Sequence, residues 1–441
     1  MAEEALPGYR SKLREMLNKV GVSVGDIVKV ESKNQTYEGT LMPRVESADD
    51  YHIVLKLKSG YNIGIFCNES LKITKLSKAS RPEFHVPPIP PTKTELPKVS
   101  IISTGGTIAS RVDYITGGVF AAMSSRDLLS IVPELADIAQ IDATILYNVF
   151  SENINPDHWS GMAKEVAKKI KEGVDGIVIT HGTDTMGYST AALSFAIQNP
   201  LVPVIFVGSQ RSSDRPSADS ATNLMGVVTA AAYAPFAEIV LGMHEGTSDD
   251  SIIFHRGTKV RKCHTSARYA FQSVNTNPVA RIKDGKIQMI SSNYHKRNDG
   301  ETIIKNNFEK KTALIKFYPG FNPAILNALV EAKFRGIVLE GTGLGHVSEQ
   351  CYESIDYASN AGILIGMTSQ CIWGRVNMNV YSMGRELLRR GVEPLDDMLP
   401  ETALVKMMWS LGQTRDEVEA RKILKTNIAG EFNERTQFRR P

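Results

Sequence analysis

Hydrophobic and polar positions alternate with two different rhythms along the chain. Between residues 26 and 76, short runs of apolar side chains recur at intervals of about ten residues, with Gly, Asn or Asp between them. This spacing is typical of a small all-β barrel. Ahead of these runs, apolar residues at helical spacing predict one short amphipathic helix, formed around Leu13, Met16, Leu17 and Val20. We therefore predict a small β-barrel domain with a short N-terminal helix over residues 1–80.

A proline-rich stretch separates the two rhythms. Six of the 20 prolines lie between Pro82 and Pro97, in the segment "RPEFHVPPIPPTKTELPK". Proline fixes its own backbone angle and removes a hydrogen-bond donor, so such a segment favours an extended spacer over a helix or a central strand. We predict a linker over residues 81–97.

Beyond the linker, apolar runs alternate with longer helical patterns, which predicts mostly parallel sheets with helices on both faces. One of these patterns, "NPDHWSGMAKEVAKKIKEG", places its apolar residues on one face and stops at Gly173. The strands form two groups on either side of a stretch near 244–310 that we expect to be irregular. The sequence therefore predicts a doubly wound α/β fold with a larger lobe over 98–310 and a smaller lobe with C-terminal helices over 311–441.

Charge and composition narrow the possible functions. The chain has 51 Lys and Arg against 48 Asp and Glu, and its net charge of +3 does not predict a dominant surface for polyanions. Its four cysteines are scattered without the spacing of a metal site. We find neither a secretory signal nor an apolar run long enough for a membrane span. We expect a cytoplasmic protein that uses no membrane and holds no metal.

Polar residues follow four of the predicted strands. In a doubly wound sheet, ligands bind beyond the carboxyl ends of the strands. Each segment alone is typical of a turn that caps the next helix, but four together favour a site. The segments are "STGGT" (103–107), "NVFSEN" (148–153), "THGTDTMG" (180–187) and "GSQRSSDR" (208–215).

The motifs of several common sites are absent from the sequence. "TGGTIAS" has neither the G-K-[ST] of a P-loop nor the third glycine of a dinucleotide motif. We find no G-x-S-x-G for a serine hydrolase and no H-E-x-x-H for a zinc hydrolase. Threonine chemistry remains. A threonine hydroxyl needs a nearby base and fixed N–H donors to act as a nucleophile, and the residue pattern alone does not separate Thr104 from Thr107.

The two segments "STGGTIAS" and "THGTDTM" together resemble the signature segments of the L-asparaginase and glutaminase family. The similarity extends over roughly residues 98 to 425, through "LVPVIFVGSQR", "MTSQC" and "DMLPETALVKMMW". It implies an asparaginase-like two-lobed fold. It also implies that Thr107 is the nucleophile that forms an acyl-enzyme and releases ammonia, and that Thr183, Asp184 and Lys262 form a second catalytic cluster. The alternative for Lys262 is a solvated surface lysine.

The same resemblance implies the residues that bind the substrate. Ser151 matches the serine that binds the substrate carboxylate. Glu152 stands where many family members carry glutamine, which implies a difference in how the substrate ammonium is recognised. Tyr114 is the candidate for a tyrosine on a mobile loop. His181 stands beside the catalytic pair, and we interpret it as a hydrogen-bonded structural residue in preference to a base.

The barrel, the linker and the asparaginase-like part together resemble the D subunits of archaeal amidotransferases that act on glutamyl-tRNA(Gln). That resemblance implies a glutaminase whose ammonia amidates the misacylated tRNA on a partner, the E subunit. It implies no cofactor in this chain, ATP and Mg at the partner, and a homodimer core within a heterotetramer.

Two other functions are compatible with parts of the sequence. A free-standing cytoplasmic L-asparaginase would share every catalytic residue, but it would not need the barrel. A non-catalytic RNA-binding or assembly protein would use the barrel, whose candidate aromatic residues for RNA contacts are Tyr37, Tyr51, Tyr61 and Phe66. The retained catalytic set argues against this second alternative.

Overall fold

In the computed structural model, the described residues are 6–32, 35–44, 49–57, 62–68, 71–78, 93–106, 108, 110–112, 119–121, 128–129, 132–211, 218–298 and 300–436. Their larger sheets are one antiparallel sheet near the N terminus, one mixed sheet of eight strands and one parallel sheet of four strands. None of the helices among these residues combines the length and the apolar character that a membrane crossing requires.

The N-terminal domain is built of strands, as predicted. It contains α1 (Ser11–Lys19), β1 (Ile27–Ser32), β2 (Gln35–Leu41), β3 (His52–Leu57), β4 (Asn62–Phe66) and β5 (Lys72–Ser77). The strands are antiparallel and follow the order β4-β3-β2-β1-β5. Alternate residues of β1, Val28 and Val30, are fully buried, and α1 adds Leu13 and Leu17 to the same core. The predicted linker falls largely outside the described residues, since 79–92 are not described, and its boundaries stay predictions.

The larger lobe surrounds the eight-stranded sheet, whose order is β18-β17-β14-β13-β12-β10-β6-β9. Five neighbouring strands, from β13 to β9, are parallel. The elements of this lobe are β6 (Lys98–Ser103), β7 (Ser110–Val112), β8 (Val119–Ala121), β9 (Gln140–Ile145), α2 (Pro156–Lys171), β10 (Gly176–Thr180), α3 (Met186–Ala196), β11 (Ile197–Gln198), β12 (Val204–Val207), α4 (Ser220–Tyr233), β13 (Ile239–His244), β14 (Ser251–Arg256), β15 (Val260–Lys262), β16 (Phe271–Ser273), β17 (Ala280–Lys283), β18 (Lys286–Met289) and β19 (Ile303–Ile304).

The stretch near 244–310 is not irregular, and the prediction for it was wrong. It contributes β14, β17 and β18, which extend the parallel sheet by three antiparallel strands. These strands are four to six residues long and carry charged residues, so they lack the continuous apolar runs of buried parallel strands. By contrast, all five residues of β10 are buried, as expected for a strand covered on both faces.

The smaller lobe surrounds a parallel sheet of order β20-β21-β22-β23. Its elements are β20 (Thr312–Lys316), α5 (Ala324–Glu331), β21 (Gly336–Gly341), α6 (Tyr352–Asn360), β22 (Leu364–Ser369), α7 (Ser382–Arg389), β23 (Val392–Pro394), α8 (Pro400–Gln413) and α9 (Glu417–Lys425). Helix α8 belongs to both cores: Trp409 stacks on Phe195 of α3 with ring centroids 5.8 Å apart, whereas Met407 packs in the smaller lobe. The two-lobed α/β fold class is confirmed.

Candidate active site

Four adjacent strands deliver the predicted polar segments to one edge of the larger sheet. β9, β6, β10 and β12 are neighbours in that order, and their last residues are in register: Ser103 pairs with Ile145 and Thr180, and Thr180 pairs with Val207. Parallel strands in register end at the same level. The polar segments that follow them therefore start side by side, as the sequence predicts.

Two glycines let the turn after β6 lie directly against the turn after β10. Gly105 and Gly106 have φ angles of +116° and +85°, which residues other than glycine rarely adopt. A Cβ atom on Gly106 would lie 2.8 Å from the backbone nitrogen of Gly182, and one on Gly105 would lie 2.2 Å from the carbonyl oxygen of Val149. The segment 103–106 is thus packed, backbone against backbone, on the segments that contain Gly182 and Val149.

The side chain of Thr104 is used to hold these segments together. Its hydroxyl donates to the Thr180 carbonyl at 2.8 Å, and the residue is 1% exposed. The hydroxyl is therefore not directed to a ligand, and Thr104 is a strand-end residue that joins two segments of the edge. Two residues of the predicted site, Thr107 and Tyr114, lie outside the described residues, and their roles stay predictions.

We expect Gly106→Ala to lower kcat/KM for the amide hydrolysis that the sequence resemblance implies at least tenfold, roughly the cost of misplacing reacting groups by a fraction of an ångström. The added methyl group would clash with the backbone of Gly182, and alanine rarely adopts the positive φ angle of this position. Gly285→Ala is the matched control, since Gly285 has a φ of +72° but no atom within 4 Å of its Cβ position. Steady-state kinetics of both variants measure the effect. Equal activity of the two variants would contradict the importance of this approach.

The side chains of Thr183, Asp184 and Lys262, the predicted second cluster, are in contact. The Lys262 Nζ donates to Thr183 Oγ1 at 2.8 Å and to Asp184 Oδ1 at 2.8 Å. The Lys262 side chain is 15% exposed, whereas that of Asp184 is 73% exposed. Lys262 is therefore not a solvated surface lysine. Two adjacent residues, Thr183 and Asp184, thus share the amine of a lysine that is distant in the chain, with the carboxylate open to solvent and available to a ligand.

Thr183 and Lys262 are positioned by different parts of the larger lobe. Thr183 follows β10 and packs against the turn after β12, because a Cβ on Gly208 would lie 2.7 Å from Thr183 Cγ2. Lys262 is the last residue of β15, which pairs with β16 so that Lys262 stands opposite Phe271. The lysine therefore reaches the sheet edge from a separate hairpin.

Ser151 lies beside Gly182, in the segment 180–187 that follows β10. Its neighbour Glu152 is exposed. Ser151 is 4% exposed, and a Cβ on Gly182 would lie 2.9 Å from its Oγ. The Thr185 hydroxyl donates to the Ser151 carbonyl at 2.6 Å. The structure thus brings Ser151 to the same crevice as Thr183, which leaves its role in binding a substrate carboxylate as a prediction with suitable geometry.

His181 is a structural residue. Its Nδ1 lies 2.7 Å from the Gly182 carbonyl, and its Nε2 lies 2.8 Å from the Ser189 hydroxyl, which also accepts from Trp159 Nε1 at 3.0 Å. Burial lowers the pKa of His181 from 6.5 to about 4. Both ring nitrogens are engaged and the ring is neutral at pH 7, so His181 does not serve as the base.

Sequence reasoning missed a buried carboxylate that shapes the turn after β12. Asp219 is fully buried and accepts from the Ser209 hydroxyl at 2.7 Å, from the Arg211 backbone N–H at 2.9 Å and from Asn223 Nδ2 at 3.0 Å. Asp219 and Asn223 are one helical turn apart at the start of α4, a spacing that could have suggested their contact. Among the residues that the structure describes, no group of three or more His, Cys, Asp or Glu side chains could hold a metal ion.

Known protein families match three separate parts of the chain. Residues 98–295 match the family "Asparaginase, N-terminal", residues 311–424 match "Glutaminase/Asparaginase C-terminal domain", and residues 22–76 match "GatD N-terminal domain". The D subunit of the glutamyl-tRNA(Gln) amidotransferase from Methanothermobacter thermautotrophicus is 49% identical over 431 residues, covering 98% of each chain. The D subunit from Pyrococcus furiosus is 48% identical and covers 97% of this chain and 98% of its own.

Solved structures resemble the part of the chain that forms the two lobes. The thermostable L-asparaginase from Thermococcus kodakarensis has a TM-score of 0.69 and 34% identity, and the match covers 77% of this chain and 100% of that enzyme. L-asparaginase I from Vibrio cholerae has a TM-score of 0.67 and 26% identity, and the match covers 77% of this chain and 99% of that enzyme.

Proposed function

Because this chain belongs to the family of glutamyl-tRNA(Gln) amidotransferase D subunits, we propose that it hydrolyses glutamine and supplies ammonia for the amidation of glutamyl-tRNA(Gln). The observation that carries the proposal is the contact of one amine, that of Lys262, with both Thr183 and Asp184. This contact lies beside a glycine turn at a sheet edge, where ligands of such folds bind.

In the proposed reaction, the hydroxyl oxygen of Thr107 attacks the side-chain amide carbon of glutamine. The hydroxyl loses its proton, the C–N bond breaks, and ammonia leaves with that proton, so that a glutamyl ester remains on the threonine. Water then attacks the ester, and glutamate leaves as the hydroxyl is restored. The N–H donors of the glycine turn would stabilise the oxyanion that forms at each step.

The second cluster would move the protons. Lys262 holds the Thr183 hydroxyl at 2.8 Å, so a proton can pass between the amine and the hydroxyl without rearrangement of the backbone. Asp184 balances the charge of the amine from the solvent side. We propose that Thr183, Asp184 and Lys262 activate the nucleophile in the first half of the reaction and water in the second.

Glutamine would be oriented by its charged end. We propose that Ser151 binds the α-carboxylate and that the exposed carboxylates of Glu152 and Asp184 recognise the α-ammonium group. Tyr114 would cover the bound substrate. These roles follow the resemblance of the motifs, and the position of Ser151 beside Gly182 supports the first of them.

The ammonia would be used by a partner. We propose that the E subunit binds the misacylated tRNA, uses ATP and Mg to activate its glutamyl carboxylate, and receives ammonia from this chain. The proposed assembly is a heterotetramer with a homodimer of this chain at its core. The match of residues 22–76 to a domain named after these D subunits supports this role over that of a free-standing asparaginase.

The test is co-expression of this chain with the E subunit, followed by assays of ammonia release from glutamine and from asparagine. We expect glutamine to be preferred and its hydrolysis to accelerate when glutamyl-tRNA(Gln) is added to the complex. Rapid hydrolysis of asparagine by the isolated chain, with no response to partner or tRNA, would instead identify a free-standing L-asparaginase.

A further inference from the structure

The hairpin that carries Lys262 is bonded to the smaller lobe just before that residue. We call residues 258–275 the lysine hairpin. The Thr258 carbonyl accepts a hydrogen bond from the Thr402 hydroxyl of α8 at 3.0 Å. Arg261 Nε lies 3.1 Å from the carboxylate of Glu401, also on α8. The hairpin therefore belongs to the larger lobe by sequence, but part of its support comes from the other lobe.

A buried ion pair provides the main anchor. The Lys259 ammonium lies 2.9 Å from Asp397 Oδ2 and 3.1 Å from the Asp397 carbonyl, and the two side chains are 1% and 0% exposed. The Asp397 carboxylate also accepts from the backbone N–H of Asn433 at 3.0 Å and from Asn433 Nδ2 at 2.7 Å. A buried pair with this many hydrogen bonds fixes the geometry of both partners, because any displacement leaves a buried charge unpaired.

The other end of the lysine hairpin is fixed to the same region. Asn275 Nδ2 donates to the Gly374 carbonyl at 2.9 Å and to the Asp397 carbonyl at 3.3 Å, and Asn275 Oδ1 accepts from the Gly374 N–H at 2.9 Å. The Asn275 carbonyl accepts from Asn433 Nδ2 at 2.9 Å. Both ends of the hairpin thus converge on Asp397 and its neighbours in the smaller lobe.

We infer that Asp397 is a positioning residue for Lys262, acting through Lys259 and the strand between them. Successive side chains of a strand point to opposite faces, so Lys259 and Arg261 face the smaller lobe while Lys262 faces Thr183. A short strand transmits a displacement of Lys259 directly to Lys262. The inference rests on the proposed function, because it assigns a consequence for glutamine hydrolysis to this contact.

The inferred effect is specific to the lysine because its two bonds are short. Both contacts of the Lys262 amine are 2.8 Å long, so a small shift of the hairpin weakens them together. A small shift of the Lys262 amine, caused by a change far from the reacting atoms, lowers the rate but leaves the substrate-binding residues in place. Asp397→Asn should therefore lower kcat for glutamine more than it raises KM.

A second buried pair offers a matched control. The Lys406 ammonium bonds to Glu431, both side chains are fully buried, and Glu431 also accepts from the N–H groups of Ile428 and Ala429. This pair holds the C-terminal segment to α8. Its hydrogen bond to the lysine hairpin is made by the backbone carbonyl of Ala429, which a side-chain substitution retains, and the Glu431 carboxylate acts on the Lys259 charge more weakly than Asp397 does. Glu431→Gln removes a carboxylate from a buried lysine, as Asp397→Asn does.

The experiment is a double-mutant cycle in the full chain, with kcat and KM for glutamine measured for Asp397→Asn, Lys262→Met and the double variant. We expect Asp397→Asn to lower kcat roughly tenfold and to have no further effect in the Lys262→Met background. Glu431→Gln should destabilise the fold to a similar extent and leave kcat unchanged. Thermal unfolding confirms that each variant is folded at the assay temperature.

The outcomes separate this inference from the proposed function. An equal fall of kcat for Asp397→Asn with and without Lys262, or an equal fall for Glu431→Gln, would show a general effect on the fold and overturn the inference alone. A wild-type rate for Lys262→Met would overturn the proposed function. If Asp397→Asn does not fold, Glu401→Gln replaces it, because this partner of Arg261 is 20% exposed and its loss costs less; the same non-additivity with Lys262→Met is expected.

Discussion

Lys262→Met is expected to lower kcat for glutamine hydrolysis by roughly 10²- to 10⁴-fold, the range for removal of a general acid–base group. Methionine keeps the unbranched apolar stem of lysine but lacks the amine that binds Thr183 and Asp184. The fold should be retained, since the change replaces a mostly buried side chain by an apolar one of similar shape. Ammonia release at saturating glutamine measures the effect.

The control for this variant is a lysine of similar chemistry elsewhere on the larger lobe. Lys283 lies at the end of β17 and is exposed. Lys283→Met should leave kcat within about twofold of the wild type, as expected for a surface substitution away from the site. If Lys262→Met and Lys283→Met behaved alike, the amine at residue 262 would have no part in the chemistry.

The second large effect concerns stability and pH. In the unfolded chain, His181 binds a proton near its ordinary pKa of 6.5, whereas in the folded protein its pKa is about 4. Protonation therefore favours the unfolded state as the pH falls below 6.5, and the loss of stability is complete near pH 4. At 1.36 kcal/mol per pKa unit, the full contribution is about 3 kcal/mol, of which about 2 kcal/mol is lost between pH 7 and pH 5.

Urea unfolding at pH 7 and pH 5 measures this contribution. His181→Asn retains an amide donor for the Gly182 carbonyl but has no proton to gain. Its free energy of unfolding should fall less between the two pH values than that of the wild type, by about 2 kcal/mol. Other histidines and carboxylates contribute equally to both proteins, so the difference isolates His181. Parallel pH dependence of the two proteins would mean that folding does not lower the pKa of His181.

The sequence predicts the sheet edge well, because a parallel strand buried on both faces leaves a continuous apolar run. The runs that became β6, β10 and β12 are of this kind, and the polar segments after them meet as expected. The antiparallel strands β14, β17 and β18 were not predicted. Their pairing partners are set by tertiary contacts, and their charged residues interrupt the pattern.

The position of Lys262 could not be derived from the residues themselves. Its contact with Thr183 spans 79 residues, and the local sequence around it is rich in basic residues, which is typical of a solvated hairpin. Only the resemblance to a family placed it in the site. Lys259 and Asp397 escaped attention for the same reason, since a buried ion pair between distant residues leaves no local pattern.

The proposed cleavage of the glutamine amide passes through an ester on Thr107, with the cluster around Lys262 moving the protons. Its most direct test is mass spectrometry of peptides from enzyme that is quenched with acid during turnover of glutamine. We expect one glutamyl group on the peptide that contains Thr107, and neither this adduct nor turnover in Thr107→Ala. A glutamyl group on Thr183 instead, or undiminished glutamine hydrolysis by Thr107→Ala, would contradict the claim.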